Sequence, residues 1–151
     1  AADSVSKTGV SSLIGQSEGT LFAEVKARSL GENRRIMFTY QDGNNFIMLT
    51  MTNTNTLRFL VFAGGSIQAD MSTPISAENV KLAGAYKAND FVFYVNGVQI
   101  GTDTSGSVPT TSDLYLGVDL AGALPLSDEL KQALVFKTRL TNAELASLTQ
   151  L

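Results

Sequence analysis

The sequence predicts an all-β fold, a two-sheet antiparallel β-sandwich or jelly roll that ends in a short C-terminal helix. Roughly ten short apolar segments follow one another at close spacing, which is typical of a sandwich. Turn-forming Gly, Asn and Asp residues separate these segments, and a helix-start signal occurs only near the C-terminus. The chain has 151 residues, so we expect a single domain spanning residues 1–151.

The first half of the chain predicts a meander of short strands. In the segment GTLFAEVKAR, Leu21, Ala23 and Val25 fall on one face, which is the alternation of a half-buried strand. Short turns then connect successive strands. In chain order these elements are the strand RRIMFTY, the turn QDGNN, the strand FIMLTMT, the break NTNT, the strand LRFLVFA, the turn Gly64-Gly65 and the strand SIQAD.

The segment KLAGAYKANDFVFYVNGVQI is the most strongly patterned in the chain and contains two hairpin signals. Its Asn96-Gly97 pair favours a type I′ turn, because both central residues of that turn need a positive φ. We predict a strand over Val80–Tyr86, the tight loop KAND, the strand FVFYV and the returning strand VQIGT. After the loop SGSVPTTSD, the segments LYLGVDL and LKQALVF are predicted to form the last strands.

The C-terminal segment RLTNAELASL predicts the helix. Thr141 is a suitable N-cap, and Glu144 three residues later completes a capping box. We expect a helix over Asn142–Thr149 that closes one edge of the sandwich through Leu145 and Leu148.

Composition excludes several classes of function. The sequence has no histidine and no cysteine, which removes disulfides, thiolate chemistry and the usual general base. The net charge is −3 and the basic residues are scattered, so we expect no nucleic-acid partner. The apolar runs are too short for membrane insertion. The chain starts with AADSVSKTG, without a Met, and we expect it to be processed or excised from a longer protein.

The segments KLAGAYKANDFVFYVNG, LYLG and ALVFKTRLTNAELASL resemble the laminin-G-like, concanavalin-A-like jelly roll. The opening SKTGVSSLIGQSEGTLFAEV resembles the version found in bacteriophage structural proteins, such as tail-fibre or head-fibre components. This resemblance implies a sandwich that recognises cell-surface glycans or other surface ligands, in a virion or extracellular location. One departure is that no glycine precedes the final strand between Gly122 and Phe136.

Glycosidases with the fold that this chain resembles carry a characteristic pattern of acidic residues. They need two carboxylates that flank the scissile bond. The laminarinase-like branch of this fold carries them on one strand as E-x-D-x-E or E-x-D-x-x-E. This sequence has no such run: Glu18 and Glu24 are too far apart, and Asp128 and Glu129 are adjacent. We therefore predict that the chain is not an enzyme and has no catalytic residues.

The turn QDGNN supplies the candidate ligand-binding residues Tyr40, Asp42, Asn44 and Asn45. Planar amides and carboxylates can hydrogen-bond sugar hydroxyls, and an aromatic ring can cover the apolar face of a sugar. The alternative is that Asp-Gly and Asn are present because a hairpin turn requires them.

Metal binding has a weaker basis. Asp103, Asp113 and Asp119 lie in or beside the loops around LYLG, where carboxylates would suit calcium. They are isolated in sequence, and the alternative is that they are ordinary surface carboxylates. We predict no metal site and no cofactor, with calcium as the alternative.

Two strands are apolar on both faces, FIMLTM over residues 46–51 and LRFLVFA over residues 57–63. A sandwich with one solvated face does not need this pattern. We expect a loop of the same chain or another subunit to cover the second face. Since phage fibres are commonly trimeric, the resemblance makes a homo-oligomer one of these two alternatives, a trimer if the chain is part of a fibre.

The leading hypothesis is a non-enzymatic carbohydrate-binding or adhesion domain of a phage virion structural protein. The alternative hypothesis is a structural module that mediates assembly or decorates the particle without binding sugar. An exposed group of Tyr, Asn and Asp favours the first, and a broad apolar face buried between copies favours the second.

Overall fold

The structure is a computed structural model that describes residues 5–28, 31–118, 120, 126 and 129–151. Within them the chain forms two antiparallel sheets and one C-terminal helix, as predicted. Six strands form sheet A: β1 (Val5–Lys7), β3 (Arg34–Asp42), β4 (Asn45–Met51), β5 (Thr56–Ala63), β6 (Ser66–Pro74) and β10 (Asp113–Leu116). Five strands form sheet B: β2 (Glu18–Lys26), β7 (Asn79–Lys87), β8 (Asp90–Val95), β9 (Val98–Asp103) and β11 (Glu129–Phe136).

The strand order is β1-β10-β3-β4-β5-β6 in sheet A and β11-β2-β7-β8-β9 in sheet B. The structure differs from the prediction at two strands. It adds β1, and it ends the strand predicted for LYLGVDL at Leu116, because Gly117 has a φ of 69° that a β-strand does not accommodate. Within the segment between Gly122 and Phe136 that lacks the expected glycine, residues 123–125 and 127–128 lie outside the described residues.

The main core lies between the sheets. Leu21, Ala23 and Val25 of β2 are fully buried in it, which confirms the predicted alternation. The inward positions of β4 and β5 contribute further apolar side chains, because alternate residues of a strand point to opposite faces. These are Ile47, Leu49, Met51, Leu57, Phe59 and Val61.

The hairpin between β8 and β9 forms at the predicted Asn96-Gly97 turn. Their φ angles are 49° and 81°, the positive values of a type I′ turn. The side-chain Oδ1 of Asn96 accepts a hydrogen bond of 2.8 Å from the Lys81 N–H on β7. The Gly97 N–H donates to Oγ1 of Thr149 at 3.0 Å, so the turn also holds the end of the helix.

The helix α1 spans Asn142–Thr149 and starts with the predicted capping box. The sequence-based prediction placed this helix at one edge of the sandwich, and that placement is wrong. The helix lies on the outer face of sheet B against β7, β8 and β9. The small side chains of Ala83 and Ala85 point outward there and leave room for Leu145, which is fully buried. Among the described residues, no helix is long and apolar enough to cross a membrane.

Thr141→Ala is expected to lower the free energy of unfolding by about 1 kcal/mol, because Thr141 Oγ1 caps the Glu144 N–H. The Thr141 N–H and hydroxyl in turn hold the pKa of Glu144 below its usual value. Since a lowered pKa contributes stability that is lost as pH falls through it, the difference between variant and wild type should shrink in acid. Urea unfolding at neutral and acidic pH measures both effects.

The matched control is Ser147→Ala, an exposed position in the same helix, which should be neutral or slightly stabilising because alanine favours helices. Equal unfolding free energies for Thr141→Ala and wild type would contradict the capping role.

Candidate functional site

The outer face of sheet A, which points away from the core, carries a layer of large apolar side chains. Phe38, Met48 and Leu60 are buried there, at 7%, 6% and 6% exposed. The half-buried aromatic side chains that pack around them are Tyr40, Phe46 and Tyr115. We call these six residues the outer cluster. The second apolar face of the two-sided strands belongs to it, and among the described residues the only helix packs on sheet B instead.

The antiparallel register aligns three aromatic side chains of this face into a row across the strands. Tyr40 pairs with Phe46 between β3 and β4, and Phe46 pairs with Phe62 between β4 and β5. The rings of Phe46 and Phe62 are stacked, with centroids 5.0 Å apart and planes inclined by 10°. The line continues to Ile67 on β6, which is 56% exposed. We call Tyr40, Phe46 and Phe62 the aromatic row.

Strand β10 flanks the other end of the row. Asp113 pairs with Tyr40, and Tyr115 pairs with Phe38, whose ring centroid is 6.0 Å away. Burial, and to a lesser degree the charges of Asp113 and Tyr40, raise the pKa of the Tyr115 hydroxyl. Tyr115 is therefore a neutral hydrogen-bonding group at neutral pH.

The β3–β4 turn brings the four predicted ligand residues together at the edge of the aromatic row. Asp42 pairs with Asn45 directly beyond the first pair of the row. Oδ1 of Asp42 accepts hydrogen bonds from the Asn44 N–H at 2.8 Å and from Nδ2 of Asn45 at 3.0 Å. Tyr40 precedes this cluster on β3. The structure places these residues together, and their binding of a ligand stays a prediction.

Hydrogen bonds divide the four residues by role. Asn45 is engaged at both ends of its amide, since its Oδ1 accepts from the Gly64 N–H at 3.1 Å. This pattern fits the turn-forming alternative for Asn45. Among the described residues, the Tyr40 hydroxyl, the side-chain amide of Asn44 and Oδ2 of Asp42 have no hydrogen-bond partner. These three groups are the ones that can face a ligand.

The end of the outer face away from this turn is polar. Arg58 donates from Nε and Nη2 to the two carboxylate oxygens of Asp70 at 2.7 and 2.6 Å. That carboxylate raises the pKa of Arg58. Arg35 donates to Oγ1 of Thr50 at 3.3 Å, and its guanidinium carbon lies 5.9 Å from the Phe38 ring centroid. Arg35 and Arg58 thus lie at one end of the outer face, and the free side-chain amide of Asn44 lies at the other.

Within the described residues, no group of three or more Asp or Glu side chains could hold a metal ion. Asp103 accepts hydrogen bonds from the N–H and the hydroxyl of Ser105, and Asp119 lies outside the described residues. Glu18 and Glu24 on β2 contact Lys87 and Lys131, both at 3.6 Å.

Residues 2–146 match the protein family described as the concanavalin A-like lectin/glucanases superfamily, under the family name Laminin_G_3. The chain belongs to this superfamily. The match confirms the laminin-G-like resemblance and the predicted fold, and the phage setting stays a prediction. No curated protein sequence matches this chain.

Solved structures share the fold at low sequence identity. The CBM40 domain of the Ruminococcus gnavus IT-sialidase, bound to α2,3-sialyllactose, is 15% identical with a TM-score of 0.77 and covers 97% of this chain and 98% of its own. A second similar structure is domain 4 of AbnA, an arabinanase from Geobacillus stearothermophilus, in complex with arabinotriose. It is 16% identical to this chain, with a TM-score of 0.70, and the match covers 91% of this chain and 69% of that domain. The leech intramolecular trans-sialidase is 16% identical to this chain, with a TM-score of 0.74, and the match covers 91% of this chain and 24% of the trans-sialidase.

Sequence reasoning missed the contribution of distant strands to this face. Phe62 and Tyr115 join Tyr40 only because the sheet order places β10 and β5 on either side of β3 and β4. The apolar residues at outward positions of two-sided strands were the available signal. They indicated an unusual face but did not show which aromatic side chains meet on it.

Proposed function

We propose that this domain binds carbohydrate without hydrolysing it, through the aromatic row and the β3–β4 turn. The observation that carries the proposal is the juxtaposition of Tyr40, which has a free hydroxyl, with the free amide of Asn44 and Oδ2 of Asp42. Aromatic surface packs against the apolar side of a sugar ring, while planar polar groups bind its hydroxyls. A rigid sheet holding a polar loop is a common arrangement for recognition.

The superfamily match and the glycans named for similar structures support this function. Among the described residues, no strand of the outer face carries two carboxylates at alternate positions. Since glycoside hydrolysis needs a pair of carboxylates, this supports a binding role. The binding residues proposed here need no metal, so we propose that calcium is not required.

We further propose that the domain serves adhesion to cell-surface glycans as part of a phage virion protein, in an extracellular setting. The support is the resemblance of the N-terminal segment. A single sugar contact of this kind is expected to be weak, with a dissociation constant near 1 mM, about −4 kcal/mol. Several copies on one fibre would raise the avidity without new contacts.

A structural assembly module is the second candidate function, and the outer cluster favours it. Phe46, Phe62 and Ile67 form a continuous apolar line that another copy could cover. Contact between copies would bury the whole of this line, whereas glycan binding would cover Phe46 and Phe62 and leave Ile67 open to solvent.

The test is a titration of the isotope-labelled domain with glycans selected on an array, followed through backbone amide shifts. We expect shifts at residues 40–46 and 62–65. Tyr40→Ala should weaken binding roughly tenfold, a loss of about 1.4 kcal/mol, because the main ring surface next to the turn is removed. Asn44→Ala should weaken binding in the same direction.

Asn53→Ala is the matched control, since Asn53 is an exposed residue in the turn at the other end of β4. Shifts confined to another loop would move the site and keep the function. An absence of response to every glycan in a folded domain, together with concentration-dependent sedimentation, would replace binding by assembly.

A further inference from the structure

We infer that the glycan bound on this face is neutral, a short oligosaccharide of uncharged sugars that lies across strands β3, β4 and β5. The inference rests on the proposed function and specifies its ligand class. It excludes sugars whose recognition depends on a carboxylate or a sulfate. It therefore separates this chain from the similar sialidase domain whose structure holds sialyllactose.

The first support is that Arg58 and Asp113, two charged side chains of the outer face, are already engaged within the protein. The Arg58 fork is used by Asp70 through two short hydrogen bonds of 2.7 and 2.6 Å. Oδ1 of Asp113 accepts from the Gly9 N–H at 3.1 Å and from the Ser112 hydroxyl at 3.0 Å. An acidic sugar is usually held by a charge-assisted fork from arginine, and the Arg58 fork would have to leave its carboxylate to provide one.

The second support is the position of the cations. Arg58 lies four residues before Phe62 on β5, so their Cα atoms are about 13 Å apart along the strand, at roughly 3.3 Å per residue. Arg35 lies in line with Arg58, since both pair with Thr50. A charged group placed on the aromatic row would therefore lose water without gaining a cation partner, which is unfavourable.

The third support is the chemistry of the groups that remain free. The Tyr40 hydroxyl and the Asn44 amide are neutral and can both donate and accept, which matches sugar hydroxyls. Oδ2 of Asp42 is a further acceptor, and its negative charge disfavours an anionic ligand. The side of the row that carries the free polar groups is thus suited to uncharged hydroxyls.

The direction of the row sets the orientation of the ligand. Adjacent strands are about 4.8 Å apart, so the row from Tyr40 to Phe62 spans about 10 Å across β3, β4 and β5. That length exceeds one sugar ring and fits at least two linked residues. The turn groups contact only the end and side of the ligand nearest Tyr40 and Asn44.

The experiment uses the whole chain and an array of matched pairs, each neutral oligosaccharide beside its sialylated, uronic or sulfated form. Lactose with 3′-sialyllactose is one pair, and arabinotriose is included as a neutral probe. We expect the neutral member to bind at least as tightly in each pair, with amide shifts at the aromatic row. Raising NaCl from ~50 mM to ~500 mM should change its dissociation constant less than twofold, because no ion pair is involved.

Two variants sharpen the result. Phe62→Ala should weaken a neutral trisaccharide several-fold more than the corresponding monosaccharide, because only the longer ligand reaches Phe62. Arg35→Gln should leave neutral binding unchanged. Equal effects of Phe62→Ala on both lengths would overturn the orientation.

The outcomes separate this inference from the proposed function. An acidic member that binds tenfold more tightly, loses affinity in salt and depends on Arg35 would overturn the neutral class while carbohydrate binding stands. A glycan response confined to another part of the domain would overturn this inference and keep carbohydrate binding, and an absence of any glycan response in the folded domain would overturn both.

Discussion

Replacing Phe59 by alanine is expected to lower the free energy of unfolding by about 3–5 kcal/mol, a large part of the ~5–15 kcal/mol typical of a domain. Phe59 is fully buried on β5 and packs across the core on Phe93, with ring centroids 6.0 Å apart. It also lies over Gly84 of β7, where an added Cβ would be 2.7 Å from Cγ of Phe59. Removal of the ring leaves a cavity that the two sheets cannot close. Urea unfolding followed by circular dichroism measures the loss.

The matched control is Phe62→Ala on the same strand, where the ring is half-buried on the outer face. We expect a smaller loss, because its site opens to solvent and leaves no enclosed cavity. Equal losses for the two variants would contradict the assignment of Phe59 to the core and Phe62 to the outer face.

The fold could be predicted because local patterns and turn chemistry agree in this chain. The alternation of Leu21, Ala23 and Val25 identified the core face of β2, and Asn96-Gly97 identified a type I′ hairpin. The capping box at Thr141 likewise depends on residues three apart in sequence. Each of these signals is contained within a few residues.

The placement of α1 and the composition of the outer face could not be predicted in this way. Both depend on which strands become neighbours, and the sheet order is a property of the whole chain. Ala83 and Ala85 resemble ordinary strand residues until the sheet shows that they face α1. Tyr115 is 75 positions after Tyr40 in sequence, yet the two rings flank Phe38.

The candidate site was predicted in part. The sequence identified the turn and its planar polar groups, because they lie within six residues of one another. It could not separate Asn45, which the Gly64 N–H engages, from Asn44, whose amide is free. That distinction depends on the neighbouring β5–β6 turn.

Tyr86→Phe is expected to lower the free energy of unfolding by about 1–3 kcal/mol at neutral pH, because it leaves a buried carbonyl without a donor. The Tyr86 hydroxyl donates to the carbonyl of Gly15 at 3.0 Å, and the ring is fully buried. Gly19 faces it on β2, where an added Cβ would be 2.5 Å from Cζ of Tyr86. Urea unfolding at neutral pH measures the difference, and Tyr40→Phe, whose hydroxyl is free, should change stability little.

The same residue makes stability depend on alkaline pH. Burial raises the pKa of Tyr86 well above its usual value of 10.0. The unfolded chain therefore loses this proton near pH 10 while the folded chain keeps it, so stability is complete below that pH and falls above it. The slope is at most about 1.4 kcal/mol per pH unit. Tyr86→Phe should show a shallower decline between neutral pH and pH ~11, which narrows its gap to the wild type. Parallel declines in the two proteins would show that Tyr86 ionises equally in the folded and unfolded chain, and that its hydroxyl is not held as the structure describes.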